Sequence, residues 1–161
     1  MFKFSIHKKD HMLKNQIDGV FLTSLKKIKV EGGDVLHAVK KHDRGFKEFG
    51  EAYFSTVSYK SIKAWKKHTL MTLNLVVPFG KVSVVIYDDR VDSKTHGSFN
   101  QFIIGAKNYY RLTIPPSLWF GFKGMYKQTS IILNVANIVH DPNEVKRKDL
   151  KDLLFNWENL K

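Results

Sequence analysis

The stretch that most constrains the fold is residues 62–90, which read IKAWKKHTLMTLNLVVPFGKVSVVIYDDR. Two apolar runs rich in β-branched residues, 70–77 and 82–87, flank Pro78-Phe79-Gly80-Lys81. Such runs around a short glycine-containing connection predict an antiparallel hairpin, with Pro78 in the turn because proline cannot donate to a strand ladder. Just before the hairpin stand the polar and aromatic residues where we expect any chemistry to occur: Lys63, Trp65, Lys66 and His68.

The rest of the chain is also organised as short strand-like segments separated by turn signals. This pattern is typical of an all-β sandwich or barrel, and we predict a jelly roll formed by residues 1–161 as one domain, with residues 1–18 as an N-terminal arm. Asp141-Pro142-Asn143 followed by leucines at near-helical spacing predicts a short C-terminal α-helix within residues 141–157. The further predicted strands are 19–30 (one or two strands), 51–58, 99–105, 109–114, 119–122 and 131–138.

Composition excludes several classes of protein. The chain has an ordinary hydrophobic content of 43% and no run of 18 apolar residues, so we predict no membrane-spanning segment. The first 15 residues lack the apolar core and cleavage site of a secretory signal. The absence of cysteine excludes disulfides and thiolate metal sites. We therefore expect a soluble, cytoplasmic protein.

The formal net charge of +12 indicates either a solvated basic surface or a basic pocket. Lysines are spread along the chain, whereas arginine occurs only at positions 44, 90, 111 and 147. A nucleic-acid binder more often concentrates its charge and uses arginine at base edges, so we predict no nucleic-acid partner. A basic pocket for an anionic metabolite such as a nucleotide diphosphate is the more specific explanation.

The placement of histidines favours proton transfer over metal binding. His68 has Lys66 two residues before it and no carboxylate after it until Asp88, so this strand does not present the paired ligands of a jelly-roll metal site. If its strand and the one before His140 face the same barrel interior, the two rings flank a bound substrate; a structural role is the alternative for each. The remaining histidines are predicted on the surface (His7, His11, His42, His96) or in the core (His37).

Several motifs occur in the order found in a known enzyme family. Asp43-Arg44-Gly45-Phe46, followed by Glu51-Ala52-Tyr53, is similar to a D-x-R-G-x-F-x-E-x-Y/F pattern. Tyr87-Asp88-Asp89-Arg90 is similar to V-D-x-R, and residues 114–122, IPPSLWFGF, to I-P-x-G-x-x-H-G-F. Together these motifs, within residues 43–142, resemble the dTDP-4-dehydrorhamnose 3,5-epimerases.

The resemblance implies a cupin, a double-stranded β-helix jelly roll that acts as a homodimer without metal or cofactor. In that family a histidine of an R-G-L-H motif, oriented by a carboxylate, removes a proton beside the ketone of a nucleotide-linked 4-keto-6-deoxysugar. A tyrosine delivers a proton to the opposite face, and a lysine stabilises the enolate. The ketone acidifies the C–H bonds, and polarising its oxygen lowers the barrier further.

This chain departs from the family pattern at each of those positions. Aligned without a gap, Lys66 takes the position of the base; with a two-residue shift, His68 takes it, and both alternatives stay open. His140 stands where the tyrosine would be. The segment that carries the orienting aspartate has no counterpart. The other replacements are Leu73 or Asn74 for the lysine and Phe120 for the histidine of H-G-F.

We therefore predict a metal-independent epimerase or isomerase acting on a nucleotide-linked 4-keto-6-deoxysugar in cell-surface polysaccharide biosynthesis. The alternatives are a non-catalytic cupin that binds a sugar nucleotide or glycan, and a nucleic-acid-binding protein. His68 and His140 are predicted to transfer protons while Lys66 polarises the ketone. The predicted substrate-binding residues are Arg44, Glu51 and Lys63 at the diphosphate, Tyr53 and Trp65 at the rings, and Ser55, Arg90 and Trp119.

Overall fold

The structure is a computed structural model and describes residues 16–160. His7, His11 and all but the last three residues of the predicted N-terminal arm lie outside the described residues. Within them, no helix is long and apolar enough to cross a membrane. The strands are β1 (Phe21–Ser24), β2 (Lys27–Ile28), β3 (Val35–Leu36), β4 (Glu51–Val57), β5 (Ile62–His68), β6 (Leu73–Phe79), β7 (Lys81–Tyr87), β8 (Phe99–Gly105), β9 (Tyr110–Ile114), β10 (Trp119–Gly124), β11 (Ser130–Ala136) and β12 (Val145–Arg147).

The strands form two five-stranded antiparallel sheets, with orders β1-β9-β6-β11-β4 and β12-β5-β10-β7-β8, and a small β2-β3 ribbon. Alternate residues of strands in both sheets meet in one buried core, because side chains two apart along a strand share a face. One sheet contributes residues such as Leu73, Leu75 and Val77 to this core, and the other contributes Val82, Val84 and Ile86. The predicted all-β jelly roll is confirmed.

The predicted central hairpin is wrong in one respect. β6 and β7 follow each other across Gly80, which has a φ of 87°, but they belong to different sheets. The two runs are apolar because they face each other across the core instead of pairing edge to edge. Pro78 lies inside β6, beside a shift in the register between β6 and β11, so its missing N–H interrupts no regular ladder.

The predicted C-terminal α-helix is also wrong. The segment consists of β12 and three 3₁₀ turns, Pro142–Glu144, Leu150–Asp152 and Trp157–Asn159. β12 pairs with β5 at the edge of its sheet. Farther along, Leu153 and Trp157 pack on Trp65, in an aromatic cluster separate from the main core. Burying these apolar residues one at a time along a sheet requires an extended chain, which a single helix could not provide.

Candidate active site

A cavity of about 690 Å³ lies where the two sheets and the C-terminal segment meet. This volume is typical of sites that enclose a small molecule. One wall comes from β4, β6 and β11, and the other from β5, β10 and residues after Arg147. The lining residues are Tyr53, Ser55, Leu73 and Asn134 on the first wall, Lys63, Ala64, Trp65, Lys66, His68, Phe120 and Phe122 on the second, and Arg147, Lys148, Asp149 and Asp152 in the C-terminal segment.

The last residue of β5, His68, is hydrogen-bonded to a buried carboxylate. Its Nδ1 contacts Oε1 of Glu144, and the two residues are 7% and 4% exposed. The other oxygen, Oε2, accepts hydrogen bonds from the backbone N–H groups of Thr69, Leu70 and Met71 at 3.0, 3.1 and 3.3 Å. The Glu144 carboxylate is therefore held by the chain immediately after the histidine that it contacts.

The charge on Glu144 decides how the His68 ring can act. Burial opposes ionisation, but the hydrogen bonds from His68 and from backbone N–H groups hold the pKa of this carboxyl below its usual range. An ionised carboxylate can only accept, so Nδ1 of His68 carries a proton that it donates to Glu144. The ring stacks on Phe120 with centroids 5.9 Å apart. The His68 ring is thus held in one orientation on the cavity wall.

An irregularity in β5 brings two lysines to the same wall. Lys63 pairs with Phe122 and Lys66 with Phe120, so the two residues of β5 between these pairs lie opposite a single residue of β10. In a regular strand, residues three apart point to opposite faces, but this register shift places both lysines on the face of the two phenylalanines. Lys66 is then two residues from His68 on a common face, and Lys63 Nζ donates to the carbonyl of Thr56 at 2.6 Å.

Positive charge accumulates on this wall. Arg147 of β12 lies directly opposite Lys66 of β5. Burial, followed by the charges of Arg147 and Lys63, lowers the pKa of Lys66 below its usual value. A cationic wall beside an oriented base suits an anionic substrate that gains negative charge during reaction.

The opposite wall is polar but uncharged. Tyr53 and Ser55 alternate along β4, and Asn134 of β11 donates to Ser55 Oγ at 3.1 Å. Burial, with the nearby charge of Glu51, raises the pKa of Tyr53. Its hydroxyl therefore keeps its proton at neutral pH, on the sheet that faces the one carrying His68.

Comparison with known proteins identifies the family of this chain. No protein-family model matches this chain. A solved dTDP-4-dehydrorhamnose 3,5-epimerase from Bacillus anthracis str. Ames shares the fold, with a TM-score of 0.80 and 18% identity over 95% of this chain and 91% of that chain. A solved dTDP sugar isomerase from Desulfovibrio desulfuricans G20 is 38% identical, with a TM-score of 0.86 over 90% of this chain and 94% of that chain. This chain belongs to the dTDP-4-dehydrorhamnose 3,5-epimerase family.

A curated relative agrees with that assignment. The protein named "Probable low-salt glycan biosynthesis epimerase Agl13" of Haloferax volcanii is 34% identical over 91 residues. The match covers 56% of this chain and 58% of that relative, so the similarity spans little more than half of either protein.

Within this 3,5-epimerase fold, the two candidates for the base position differ in their contacts. His68 is hydrogen-bonded to the carboxylate of Glu144, whereas the Lys66 ammonium has no hydrogen-bond partner among the described residues. The sequence analysis found no counterpart of the segment that carries the family's orienting aspartate; in the structure a different carboxylate, that of Glu144 in the 3₁₀ turn before β12, contacts the His68 ring. Nothing in the local sequence marked Glu144, because the residues before it were interpreted as a helix start.

The cavity brings together six of the predicted site residues: Tyr53, Ser55, Lys63, Trp65, Lys66 and His68. Trp65 differs from the other five because its ring is 1% exposed and packs on Phe99, Phe155 and Trp157. That burial leaves the ring unable to stack on a substrate. The role predicted for Trp65 in ring binding is replaced by a role in anchoring the C-terminal segment.

The structure does not bring the other five predicted residues to the cavity. His140 is exposed beyond the end of β11, and Glu51 begins β4 outside the lining. The guanidinium of Arg44 lies over the ring of Phe21 at 3.9 Å. Two are engaged with aspartates: the Arg90 guanidinium with Asp88, and the indole N–H of Trp119 with Asp89 at 2.7 Å.

Residues that sequence reasoning missed are Glu144, Arg147 and Asn134. Arg147 and Asn134 reach the cavity through strand pairing between distant segments, β12 with β5 and β11 with β4, whereas Glu144 contacts His68 from the 3₁₀ turn before β12. In the sequence, residues 146–148 indicate only a general basic composition. The register of β12 decides which of these side chains face the cavity, and the sequence alone carries no signal for that register.

Proposed function

We propose that this chain is a metal-independent epimerase of a dTDP-linked 4-keto-6-deoxysugar, acting in the biosynthesis of a cell-surface polysaccharide. The observation that carries the proposal is the hydrogen bond between His68 and Glu144 at a cationic cavity wall. Membership of the 3,5-epimerase family and the names of the related proteins support the same reaction class. The substrate needs no activation beyond its own ketone, which acidifies the neighbouring C–H bonds.

Proton abstraction belongs to His68. Its Nε2 takes the proton from the carbon beside the ketone, the C–H electron pair forms the enolate, and negative charge collects on the ketone oxygen. Glu144 stabilises the resulting imidazolium through Nδ1–H. Lys66, two residues earlier on the same strand face, stabilises the enolate oxygen.

Reprotonation belongs to the opposite wall. Tyr53 is the protonated acid there, and it takes the role that the sequence analysis predicted for His140. Delivery of its proton to the face opposite His68 inverts the carbon and leaves a phenolate that solvent reprotonates. An epimerase requires its base and its acid on opposite sides of the substrate, as on these two sheets. An enolate that is reprotonated from the side of the base returns to its starting configuration.

We further propose that the protein acts as a homodimer in the cytoplasm, without a nucleic-acid partner. The free edge of β4 and the exposed Phe54 on it support self-association. The spread of lysines over the surface, without an arginine-rich tract, supports the absence of a nucleic-acid site.

The test is NMR of dTDP-4-keto-6-deoxyglucose in D₂O with EDTA present. We expect the wild-type protein to introduce deuterium at C3, C5 or both. His68→Asn should abolish this exchange while dTDP still raises the melting temperature, because asparagine cannot act as the base. Replacement of the exposed His42 by Asn serves as the control and should exchange normally. Wild-type binding of dTDP without any exchange would instead identify a binding-only cupin, and unchanged exchange in His68→Asn would remove His68 from the mechanism.

A further inference from the structure

Two like charges face the cavity side by side. β12 pairs antiparallel with β5 in the register Val145 with His68, Lys146 with Lys67 and Arg147 with Lys66. Residues directly opposite each other on neighbouring strands share a face, so Arg147 and Lys66 project to the same side. Like charges in that position are destabilising by themselves.

Neither cation is neutralised by the part of the protein that the structure describes. No hydrogen bond or ion pair joins the side chain of Arg147 or of Lys66 to another described residue, although both side chains line the cavity. The two nearest acidic side chains of the lining do not change this. Asp152 accepts the backbone N–H of Asp149 at 2.8 Å within its own turn, and both aspartates are exposed.

The position of Arg147 is nonetheless rigidly determined. The next residue, Lys148, exchanges two backbone hydrogen bonds with Trp65, of 3.1 and 3.2 Å. Three positions before Arg147, Glu144 is held by His68 and three backbone N–H groups. An exposed arginine fixed between two such anchors, without a protein partner, is arranged for a ligand.

The two cations differ in position and in chemistry. Lys66 lies two residues before the buried His68 on the same strand face, whereas Arg147 is on the edge strand β12. A guanidinium offers a planar fork of N–H donors that matches phosphate oxygens, whereas an ammonium is a compact point charge. The arrangement suits a ligand with a phosphate group at Arg147 and an oxygen that gains charge at Lys66, beside His68.

We propose that Arg147 binds the diphosphate of the sugar nucleotide and thereby makes the C-terminal strand β12 part of the substrate site. This inference rests on the proposed function for the identity of the substrate. It assigns to Arg147 the contact that the sequence analysis predicted for Arg44. Lys66 remains free for the enolate, so one pair of opposed residues serves both ends of the substrate.

The test compares Arg147→Gln with Lys146→Gln. The second variant is a matched control, because Lys146 is the preceding residue of the same strand, loses the same charge and lies on the opposite face with Lys67. Calorimetric titration with dTDP, inorganic pyrophosphate and thymidine separates the diphosphate from the nucleoside. We expect Arg147→Gln to weaken dTDP and pyrophosphate binding about ten- to hundredfold, as for loss of a charge-assisted hydrogen bond, and to leave thymidine unaffected. Lys146→Gln should bind all three as the wild type does.

Turnover of the 4-keto sugar supplies a second readout. Arg147→Gln should raise KM with little change in kcat, since the diphosphate does not react. Should Arg147→Gln fail to fold, Arg147→Lys retains the charge without the fork and is expected to show an intermediate loss of pyrophosphate affinity. Equal affinities for Arg147→Gln and Lys146→Gln, or for Arg147→Lys and the wild type, would overturn the assignment.

The failures of this inference and of the proposed function are distinguishable. If the wild type catalyses exchange and Arg147→Gln keeps its KM, the assignment of Arg147 fails while the epimerase function stands. If the wild type catalyses no exchange but only Arg147→Gln loses dTDP, the function fails while the diphosphate contact stands.

Discussion

At the scale of single residues, the proposed chemistry depends on two side chains 76 positions apart. His68 ends β5, and Glu144 ends a 3₁₀ turn near the C-terminus. The pairing fixes the orientation of the ring, because Glu144 is ionised and accepts from Nδ1–H. The same carboxylate holds three backbone N–H groups, so the ring is oriented by the chain around it.

Replacing Glu144 by Gln tests this arrangement. The neutral amide no longer stabilises the imidazolium, so we expect the exchange rate to fall about 10²- to 10⁴-fold, as when an orienting carboxylate of a catalytic triad is neutralised. Binding of dTDP should not change, because Glu144 does not line the cavity. The exchange rate by NMR and the affinity by calorimetry measure the two effects. Glu48→Gln, at an exposed position, is the control, and equal rates for the two variants would contradict an orienting role for Glu144.

At the scale of structural elements, the loop between β7 and β8 explains why a predicted substrate ligand is absent from the cavity. Asp88 is fully buried and accepts hydrogen bonds from the Arg90 guanidinium, Ser93 Oγ and Thr95 Oγ1. Burial opposes its ionisation, but these donors hold the pKa of Asp88 far below its usual range. Arg90 therefore organises a loop through its ion pair with Asp88.

Asp88→Asn should destabilise the protein by about 2–3 kcal/mol, the range for hydrogen bonds to a charged group. For a chain of this length, that corresponds to a decrease in melting temperature of about 4–12 °C at pH 7. Because the pKa of Asp88 is depressed in the folded state, its stabilisation of the fold is fully present above the unfolded-state pKa of about 4 and is lost as the pH falls toward the folded-state pKa. The difference in melting temperature between Asp88→Asn and the wild type should accordingly narrow below about pH 4.

Thermal unfolding across this pH range measures the effect, with Asp92→Asn as the control. Asp92 lies in the same loop but is exposed, so its variant should melt with the wild type at every pH. A pH-independent difference for Asp88→Asn would show that packing, not the charge, accounts for the loss.

At the scale of the whole molecule, β4 is one of the edge strands that have no partner on one side among the described residues. β4 lies at the end of its sheet, and Phe54 on it is 67% exposed. An unpaired edge with an exposed aromatic residue favours pairing with a second copy of the chain. The first lining residues of the cavity, Tyr53 and Ser55, belong to the same strand, so association would lie close to the site.

Light scattering after size exclusion should therefore find a dimer of the 18.7 kDa chain. Phe54→Lys should convert it to a monomer, because a charge at the centre of the contact would be desolvated without a partner. Val91→Lys is the control, since Val91 is 85% exposed in the β7–β8 loop, away from this edge. A wild-type monomer, or a Phe54→Lys dimer of unchanged stability, would contradict association through β4.

The local pattern of the sequence was sufficient for most strands. The predicted segments 51–58, 99–105 and 109–114 correspond to β4, β8 and β9 because alternation and β-branching act within a few residues. The prediction was wrong where one sequence pattern is compatible with two structures. The leucines at near-helical spacing lie in separate turns and not in one helix. The two apolar runs around Gly80 form strands of different sheets that face each other and do not pair as a hairpin.

The sequence by itself determined the all-β jelly roll, the family and the strand that carries His68, since these depend on residue types and their spacing along the chain. Tertiary structure alone decided which groups lie near that histidine. Glu144 contacts its ring, and Arg147 and Tyr53 line the cavity, while Arg44, Arg90 and His140 remain outside it. The physical reason is register: a shift of one residue turns a side chain to the other face of a sheet, and register is set by contacts between distant strands.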